Sequence, residues 1–336
     1  MTRGSRIRLA LGTLLVVAAI AVAIGLVRGT TRSAPVGAGV VVIETNLGFQ
    51  GAHAAGTGMV LTSSGRVLTN NHVIRGATDI RVVLPKTGRG FPAKVVGYDE
   101  SDDVAILQAG GASNLQTVPL GDSETLSSGE PVKALGNAGG TGSLRAASGT
   151  VTGLDRDITV GDDQGGSERL AGMIETDANV QPGDSGGPLM NASGQVVGMD
   201  TAASVTSGVA RSATGTGFAI PINKAMSIAD QIVRGDGSAR VHVGGTAFLG
   251  VEVVENTLGG SGAVVTSVVP GSPADAAGLT PGDLITAVGD QVVSSPSQLT
   301  DIVAAQKPGA SVSTAFVDPQ GASQTASLAL ASGPPR

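Results

Sequence analysis

The sequence predicts a mainly β protein: a sandwich or barrel over residues 38–235, then a small α+β module over 245–333, preceded by one transmembrane helix. Three observations predict this. Short apolar runs recur at near-regular spacing, bounded by Gly, Asn, Asp or Pro, and 52 glycines against 16 prolines supply the turns. Sustained helical spacing first appears after Pro221, and a glycine-rich stretch (Gly235–Gly245) follows it. An uncharged apolar stretch, Leu9–Val27, stands near the start.

Composition narrows the function classes. The 336 residues suffice for about two domains with full cores. With 41% apolar and 14% charged residues, the chain is too apolar for disorder and too sparsely charged for a coiled coil. Six aromatics and a net charge of −6 argue against a nucleic-acid surface. No cysteine is present, which excludes disulfides, thiolate metal sites and cysteine nucleophiles. Three histidines (His53, His72, His242) leave little for a histidine-rich metal site, and no cofactor is expected. Sixteen arginines to five lysines, with abundant Ala, Gly and Val, hint at a GC-rich bacterial gene.

Taken in order, residues 1–8 form a short tail whose Arg3, Arg6 and Arg8 favour a cytoplasmic N-terminus. The 19 residues Leu9–Val27 would span roughly 28 Å as a helix, close to the thickness of a bilayer core. Ala21-Val22-Ala23 offers a signal-peptidase site, but it lies inside the apolar run. An uncleaved single-pass anchor is therefore expected, with the bulk of the chain outside the cytoplasm. Residues 28–37 form a linker. Strands are expected at Val40–Ile43, Gly58–Thr62, Arg66–Thr69, Ile80–Leu84, Ala93–Gly97, Val104–Leu107, Val132–Leu135, Gly149–Gly153, Gly172–Thr176, Gly187–Met190, Val196–Thr201 and Gly217–Ile220. A helix follows from Pro221, with Ile222, Met226, Ala229 and Val233 on one face and Gly235 as its stop. The C-terminal module mixes strands (Leu249–Val254, Ala263–Val268, Leu284–Val288, Val312–Val317, Thr325–Leu330) with helices near Ser272–Ala277 and Ser297–Gln306.

The sharpest motif is Gln181-Pro182-Gly183-Asp184-Ser185-Gly186-Gly187-Pro188-Leu189. A nucleophilic serine needs a hydroxyl on a tight turn and backbone N–H groups aimed at a developing oxyanion. Flanking glycines permit such a backbone. An ordinary Gly/Asp/Ser turn is the plain alternative, and Gly-x-Ser-x-Gly also occurs at the nucleophile elbow of α/β-hydrolases, which would make a secreted esterase. That fold requires a helix after the serine and a histidine downstream. Here Gly186-Gly187-Pro188 cannot open a helix, and His242 in the interdomain stretch is the single downstream histidine. Upstream, His72 ends a strand in Leu68-Thr69-Asn70-Asn71-His72-Val73-Ile74, and Asp103 begins Asp103-Val104-Ala105-Ile106-Leu107. The order His, Asp, Ser is that of a chymotrypsin-like double β-barrel.

Thr69–Ile74, Asp99–Gln108, Thr176–Leu189 and Gly215-Thr216-Gly217-Phe218-Ala219-Ile220-Pro221 together resemble the HtrA (Deg-type) serine proteases. Phe248-Leu249-Gly250-Val251 and Pro270-Gly271-Ser272-Pro273-Ala274, with Gly278-Leu279 and Pro281-Gly282-Asp283, resemble that family's PDZ domain. The resemblance runs from about residue 38 to 333, in the family's domain order. It implies a membrane-anchored serine endopeptidase, ATP-independent, that degrades misfolded or damaged exported proteins in quality control and stress response. Ser185 would be the nucleophile, His72 the general base and then acid, and Asp103 the residue that orients His72. The family places its acid directly before the apolar strand, which selects Asp103 over Asp102; Asp102 is expected to be a solvated turn carboxylate. The N–H groups of Gly183 and Ser185 would form the oxyanion hole. Asn179, Val180, Thr216, Gly217 and Phe218 would line the substrate site, and Phe248, Leu249, Gly250 and Val251 would receive C-terminal or unfolded segments at the PDZ domain. A homotrimer is the family's assembly. An alternative is a proteolytically silent chaperone or scaffold on the same fold.

Two positions depart from the family. Asp184 stands where Asn is usual, and Thr216 where an aliphatic residue is usual. No acid near Asn179 and Val180 suits a Lys/Arg preference, so small or medium aliphatic residues are the expected substrates. His53 is expected in a surface loop, Gly136–Thr141 is a glycine-rich loop near the site, and acidic Gly161–Gly166 is an exposed loop.

Overall fold

A computed structural model describes residues 37–161, 167–201, 204–205, 216–257 and 259–336. Twenty-two strands and four α-helices are built on them. The first group comprises β1 (Val40–Leu47), β2 (Ala52–Val60), β3 (Arg66–Thr69), α1 (Asn71–Ile74), β4 (Asp79–Val83), β5 (Gly90–Asp99) and β6 (Val104–Ala109). The second comprises β7 (Pro131–Gly136), β8 (Arg145–Gly161), β9 (Ser167–Thr176), β10 (Pro188–Asn191), β11 (Val196–Thr201), β12 (Ser204–Val205), β13 (Gly217–Pro221) and α2 (Ile222–Arg234). Then come β14 (Val241–Val243), β15 (Thr246–Phe248), β16 (Val251–Glu255), β17 (Ala263–Val268), α3 (Pro273–Ala276) and β18 (Leu284–Val288). Last are β19 (Gln291–Val292), α4 (Pro296–Ala304), β20 (Ser311–Val317), β21 (Ser323–Ala329) and β22 (Ala331–Gly333).

Two sheets close on themselves. In the first, the order β5-β4-β1-β2-β3-β6 is closed by pairing of β5 with β6, and β14 adds to β5. In the second, β8-β7-β10-β11-β13-β9 is closed by β8 with β9, and β12 adds to β8. Closure removes open edges and turns alternate side chains inward. Ile43, Val67, Val82 and Leu107 fill the first barrel, and Val132, Ile174, Leu189 and Val197 the second. A third cluster lies between them, where Met59, Leu68 and Ile106 meet Met173, Met199 and Ile220.

Helix α2 packs on that inter-barrel cluster. Its buried face is Ile222, Ala225, Ile228, Ala229 and Ile232. Met226 is half-buried and Val233 is exposed, so the apolar stripe sits one position away from the expected Met226/Val233 line. Both lines keep helical spacing, and the neighbours decided between them. Gly235 closes the helix at φ 81° and donates to Gln231 and Ile232 carbonyls.

The C-terminal module is a second core. Strands β16-β17-β18-β20-β21 form a sheet, β15 pairs with β22, and α4 lays Leu299, Ile302 and Val303 onto Ala263, Val265 and Ile285. The interdomain stretch is itself structured: Val241 and His242 pair with Asp99 and Tyr98. His53 lies exposed in β2, opposite Asn46, and not in a loop, because the hairpin turn ends at Gly51. Strand β8 runs well beyond Gly149–Gly153, with register shifts against β9 and a left-handed Asp155 at φ 55°. Residues 1–36, which include the Leu9–Val27 segment, and residues 162–166 lie outside the described residues. Among the described residues no helix is long and apolar enough to cross a membrane.

Candidate active site

The site forms where loops of the two barrels meet. His72 is carried by the one-turn helix α1 and not by the end of β3. The strand stops at Thr69, and Asn70 turns toward the opposing Asp103 loop. The Asn70 side chain, fully buried, donates to the Asp103 carbonyl at 2.9 Å. Asp103 Oδ1 accepts the His72 backbone N–H at 2.9 Å, and its Oδ2 meets His72 Nδ1 at 2.8 Å. A carboxylate can only accept, so Nδ1 carries the proton and Nε2 is left as the ring's basic nitrogen. The Asp103 side chain is 4% exposed and that of His72 30%. Asp103 sits at φ 52°, immediately before β6; an acid tolerates this left-handed geometry better than most residues.

The second barrel contributes through β11. Thr201 Oγ1 approaches Asp103 Oδ2 at 3.4 Å. Beside it, Asp200 exchanges backbone hydrogen bonds with the serine loop: Gly186 N–H donates to its carbonyl at 2.9 Å, and its N–H donates to Gly187 O at 2.8 Å. Ser185 is 5% exposed, and its carbonyl accepts from Thr57 N–H at 2.9 Å. Glycine is required twice here. A Cβ at Gly186 (φ 82°) would stand 2.1 Å from Thr57 O, and one at Gly183 (φ 98°) would stand 2.3 Å from Asn137 O.

The loop is wired from several directions. Thr57 Oγ1 donates to Gly183 O at 2.7 Å and accepts from Asn137 N–H at 2.9 Å. Gly139 N–H donates to Pro182 O at 2.8 Å. In a trans peptide C=O and N–H point oppositely, so the Gly183 N–H faces away from the 137–140 loop. Asp184 Oδ2 accepts from Gln181 N–H at 2.9 Å. Burial pushes the Asp184 carboxyl up from its ordinary value. Asp200 is fully buried, and desolvation, then the neighbouring Asp184 charge, pushes its carboxyl well above the usual range. Among the described residues neither Asp200 oxygen nor Asp184 Oδ1 has a hydrogen bond of ordinary geometry; the nearby Leu135 and Ala138 N–H groups offset only part of the desolvation.

Asp102 is not a solvated turn carboxylate. It pairs with Lys224 of α2 at 2.7 Å and with the Arg240 guanidinium, and its side chain is 14% exposed. Lys224 and Arg240 are distant in sequence, which is why its position next to Asp103 suggested only solvent. Burial likewise raises the Asp99 carboxyl. Of the expected substrate residues, Asn179 is exposed and Val180 and Thr216 are half-buried. Val180 Cγ2 lies 2.6 Å from where a Gly217 Cβ would stand, so glycine lets the two segments touch. Phe218 is buried in the inter-barrel cluster. Thr57, Asn70, Asp200 and Thr201 were not singled out from the sequence. Thr57 carried one usable signal, its glycine neighbours Gly56 and Gly58 in an otherwise apolar strand.

In the C-terminal module, Leu249 is buried in the core, Gly250 adopts φ 90°, and Val251 opens β16. With Phe248, Leu299 and Val303 they line a groove of about 220 Å³. Gly250 needs its missing side chain, since a Cβ would stand 2.1 Å from Ser272 Cβ.

Comparison with known proteins agrees with this architecture. Residues 56–199 match the trypsin-like peptidase domain family and residues 264–317 the PDZ domain family. Serine protease PepD of Mycobacterium tuberculosis is 36% identical over 305 residues, covering 87% of this chain and 63% of that protein. The periplasmic pH-dependent serine endoprotease DegQ of Escherichia coli is 36% identical over 264 residues, covering 76% of this chain and 55% of that protein. The chain thus spans less than two thirds of the length of these relatives. Among solved structures, a variant of the HtrA-type protease AlgW with a tripeptide is 30% identical with a TM-score of 0.51, covering 89% of this chain and 95% of that one. A trypsin-like double barrel followed by a PDZ domain, with this likeness along most of its length, makes the chain a member of the HtrA family of serine proteases.

Proposed function

We propose that the chain is a serine endopeptidase in which Ser185 attacks the scissile carbonyl. His72 Nε2 takes its proton and returns it to the leaving amine. Asp103 holds the tautomer and stabilises the imidazolium. The observation that carries this reading is the 2.8 Å contact between His72 Nδ1 and Asp103 Oδ2, joined through Thr201 and Asp200 to the Ser185 turn. The free orientation of the Gly183 N–H, with Ser185 N–H, supplies the oxyanion hole. The likeness to the HtrA family supports an activity that is ATP-independent. Asn179, Val180, Thr216, Gly217 and Phe218 shape the substrate cleft, with preference for small or medium aliphatic side chains.

Substrates are misfolded or damaged exported proteins. The groove beside Phe248–Val251 takes their C-terminal segments by strand addition to β16. The uncharged Leu9–Val27 run anchors the chain in the cell membrane with the protease and PDZ domains outside the cytoplasm; a homotrimer would follow from likeness to the family alone. The decisive experiment is casein digestion by wild type and by Ser185→Ala. Cleavage should fall on the order of 10⁶-fold, as in triad knockouts, and survive chelators. Substantial cleavage by pure Ser185→Ala protein would remove Ser185 from the reaction.

A further inference from the structure

The segment after β22 does not trail away from the module. Pro335 O accepts the Gly76 N–H at 2.8 Å, and Arg336 O accepts Asn71 Nδ2 at 2.8 Å. Both donors flank His72, one before it in α1 and one just after that helix. The Arg336 guanidinium meets Glu100 Oε1 at 3.5 Å and Asp301 Oδ1 at 3.2 Å. Glu100 lies in the turn that presents Asp103, and Asp301 lies on α4, whose Leu299 and Val303 line the PDZ groove. Arg336 also borders a cleft of about 790 Å³ between the two domains, whose walls include Tyr98, Arg240 and Lys307.

We infer that Pro335 and Arg336 are positioning residues for the His72–Asp103 pair and tie that pair to PDZ helix α4. Helix α1 is a single turn with no side-chain N-cap bond, too short to hold itself. Asn70 restrains its start through Asp103, and the Pro335 carbonyl restrains the chain beyond its end. Asn71 is buried, and its Nδ2 is held by Arg336 O. The two ion pairs of Arg336 are exposed, and such pairs contribute little singly. The main-chain contacts therefore carry most of the restraint, and the guanidinium sets where they fall. A general base misplaced by a fraction of an ångström loses rate without losing substrate affinity.

This role rests on the peptidase reading, and the test separates the two. A short aliphatic peptide amide, which offers no free carboxylate to the PDZ groove, serves as substrate for the full chain. A chain ending at Gly333 should lose about tenfold in kcat with KM unchanged, and Arg336→Ala about threefold. Arg336→Lys, which keeps the cation and the main-chain oxygen, should recover most of the rate. Amide hydrogen exchange over residues 71–76 should quicken in the shortened chain, measured in a Ser185→Ala background. Unchanged kcat and unchanged exchange in the Gly333 chain would overturn the inference, as would a loss confined to KM. If wild type cleaves nothing, the Ser185 assignment fails, while the exchange over 71–76 still decides the role of the tail.

Discussion

Thr57 is the most informative side chain to alter, because its hydroxyl is the bridge between the first barrel and the Ser185 loop. It is fully buried, donates to Gly183 O at 2.7 Å and accepts from Asn137 N–H at 2.9 Å. Thr57→Val keeps the volume and removes the hydroxyl, leaving a carbonyl and an N–H unpaired in a buried place. Each orphan costs about 1–3 kcal/mol, near 2 as a midpoint, so the pair costs about 4. The extra buried methyl returns about 0.8 kcal/mol. A net loss of about 3 kcal/mol lowers Tm by about 6–12 °C for a domain of this size, at roughly 2–4 °C per kcal/mol. Calorimetry in a Ser185→Ala background, where self-digestion cannot distort the scan, reads this directly. Thr57→Ser is the control: it keeps both hydrogen bonds and should cost only the methyl, about 1 kcal/mol. In the active background Thr57→Val should also lower kcat, since Gly183 loses the contact that orients its peptide. A Tm within 1 °C of the parent (roughly the resolution of the comparison), or a Thr57→Ser loss equal to that of Thr57→Val, would refute the bridging role.

The buried acids give a pH signature. Asp200 and Asp184 have folded carboxyls raised by burial, so the folded state binds their protons more tightly than the unfolded chain. Their contribution is greatest below the ordinary carboxylate range, about pH 4, and is lost as pH rises through the folded values. Asp200→Asn should therefore raise Tm at pH 7.5 and match wild type near pH 4; a lower Tm at pH 7.5 with the same pH slope would contradict it. At the PDZ groove, a peptide ending in a free carboxylate should bind roughly 10- to 150-fold tighter than its amide, from about 1.5–3 kcal/mol for hydrogen bonds to a charged partner. Equal titration curves for the two peptides would show that the groove does not read C-termini. In intact cells, external protease should digest everything beyond residue 36 and shield only the segment before it; recovery of a mature chain beginning near Pro35 would show cleavage in place of anchoring.

The legible parts of this chain were those written in local pattern. Arg66–Thr69, Val196–Thr201, Ala263–Val268 and Leu284–Val288 are strands with the expected ends, because alternating apolar runs between turn residues leave few other options. The Gly235 stop of α2 was equally local. His72, Asp103 and Ser185 could be chosen because each sits in a short, distinctive context. What was illegible had no local trace. Asp102 looked like a solvated turn until Lys224 and Arg240 arrived from 122 and 138 positions later. Asp200 looked like any polar strand residue, yet it is entirely enclosed beside a second acid.

Sequence alone was enough for the order of most elements and for the glycines that the serine turn requires. These follow from backbone sterics and apolar periodicity, which act over a few residues. The tertiary structure decided which charges are paired, which are buried, and that Pro335 and Arg336 reach back to the helix bearing His72. Electrostatics and hydrogen bonding depend on distance in space and on exclusion of water. Both are fixed only when strands far apart in the chain close into barrels and the module behind them docks.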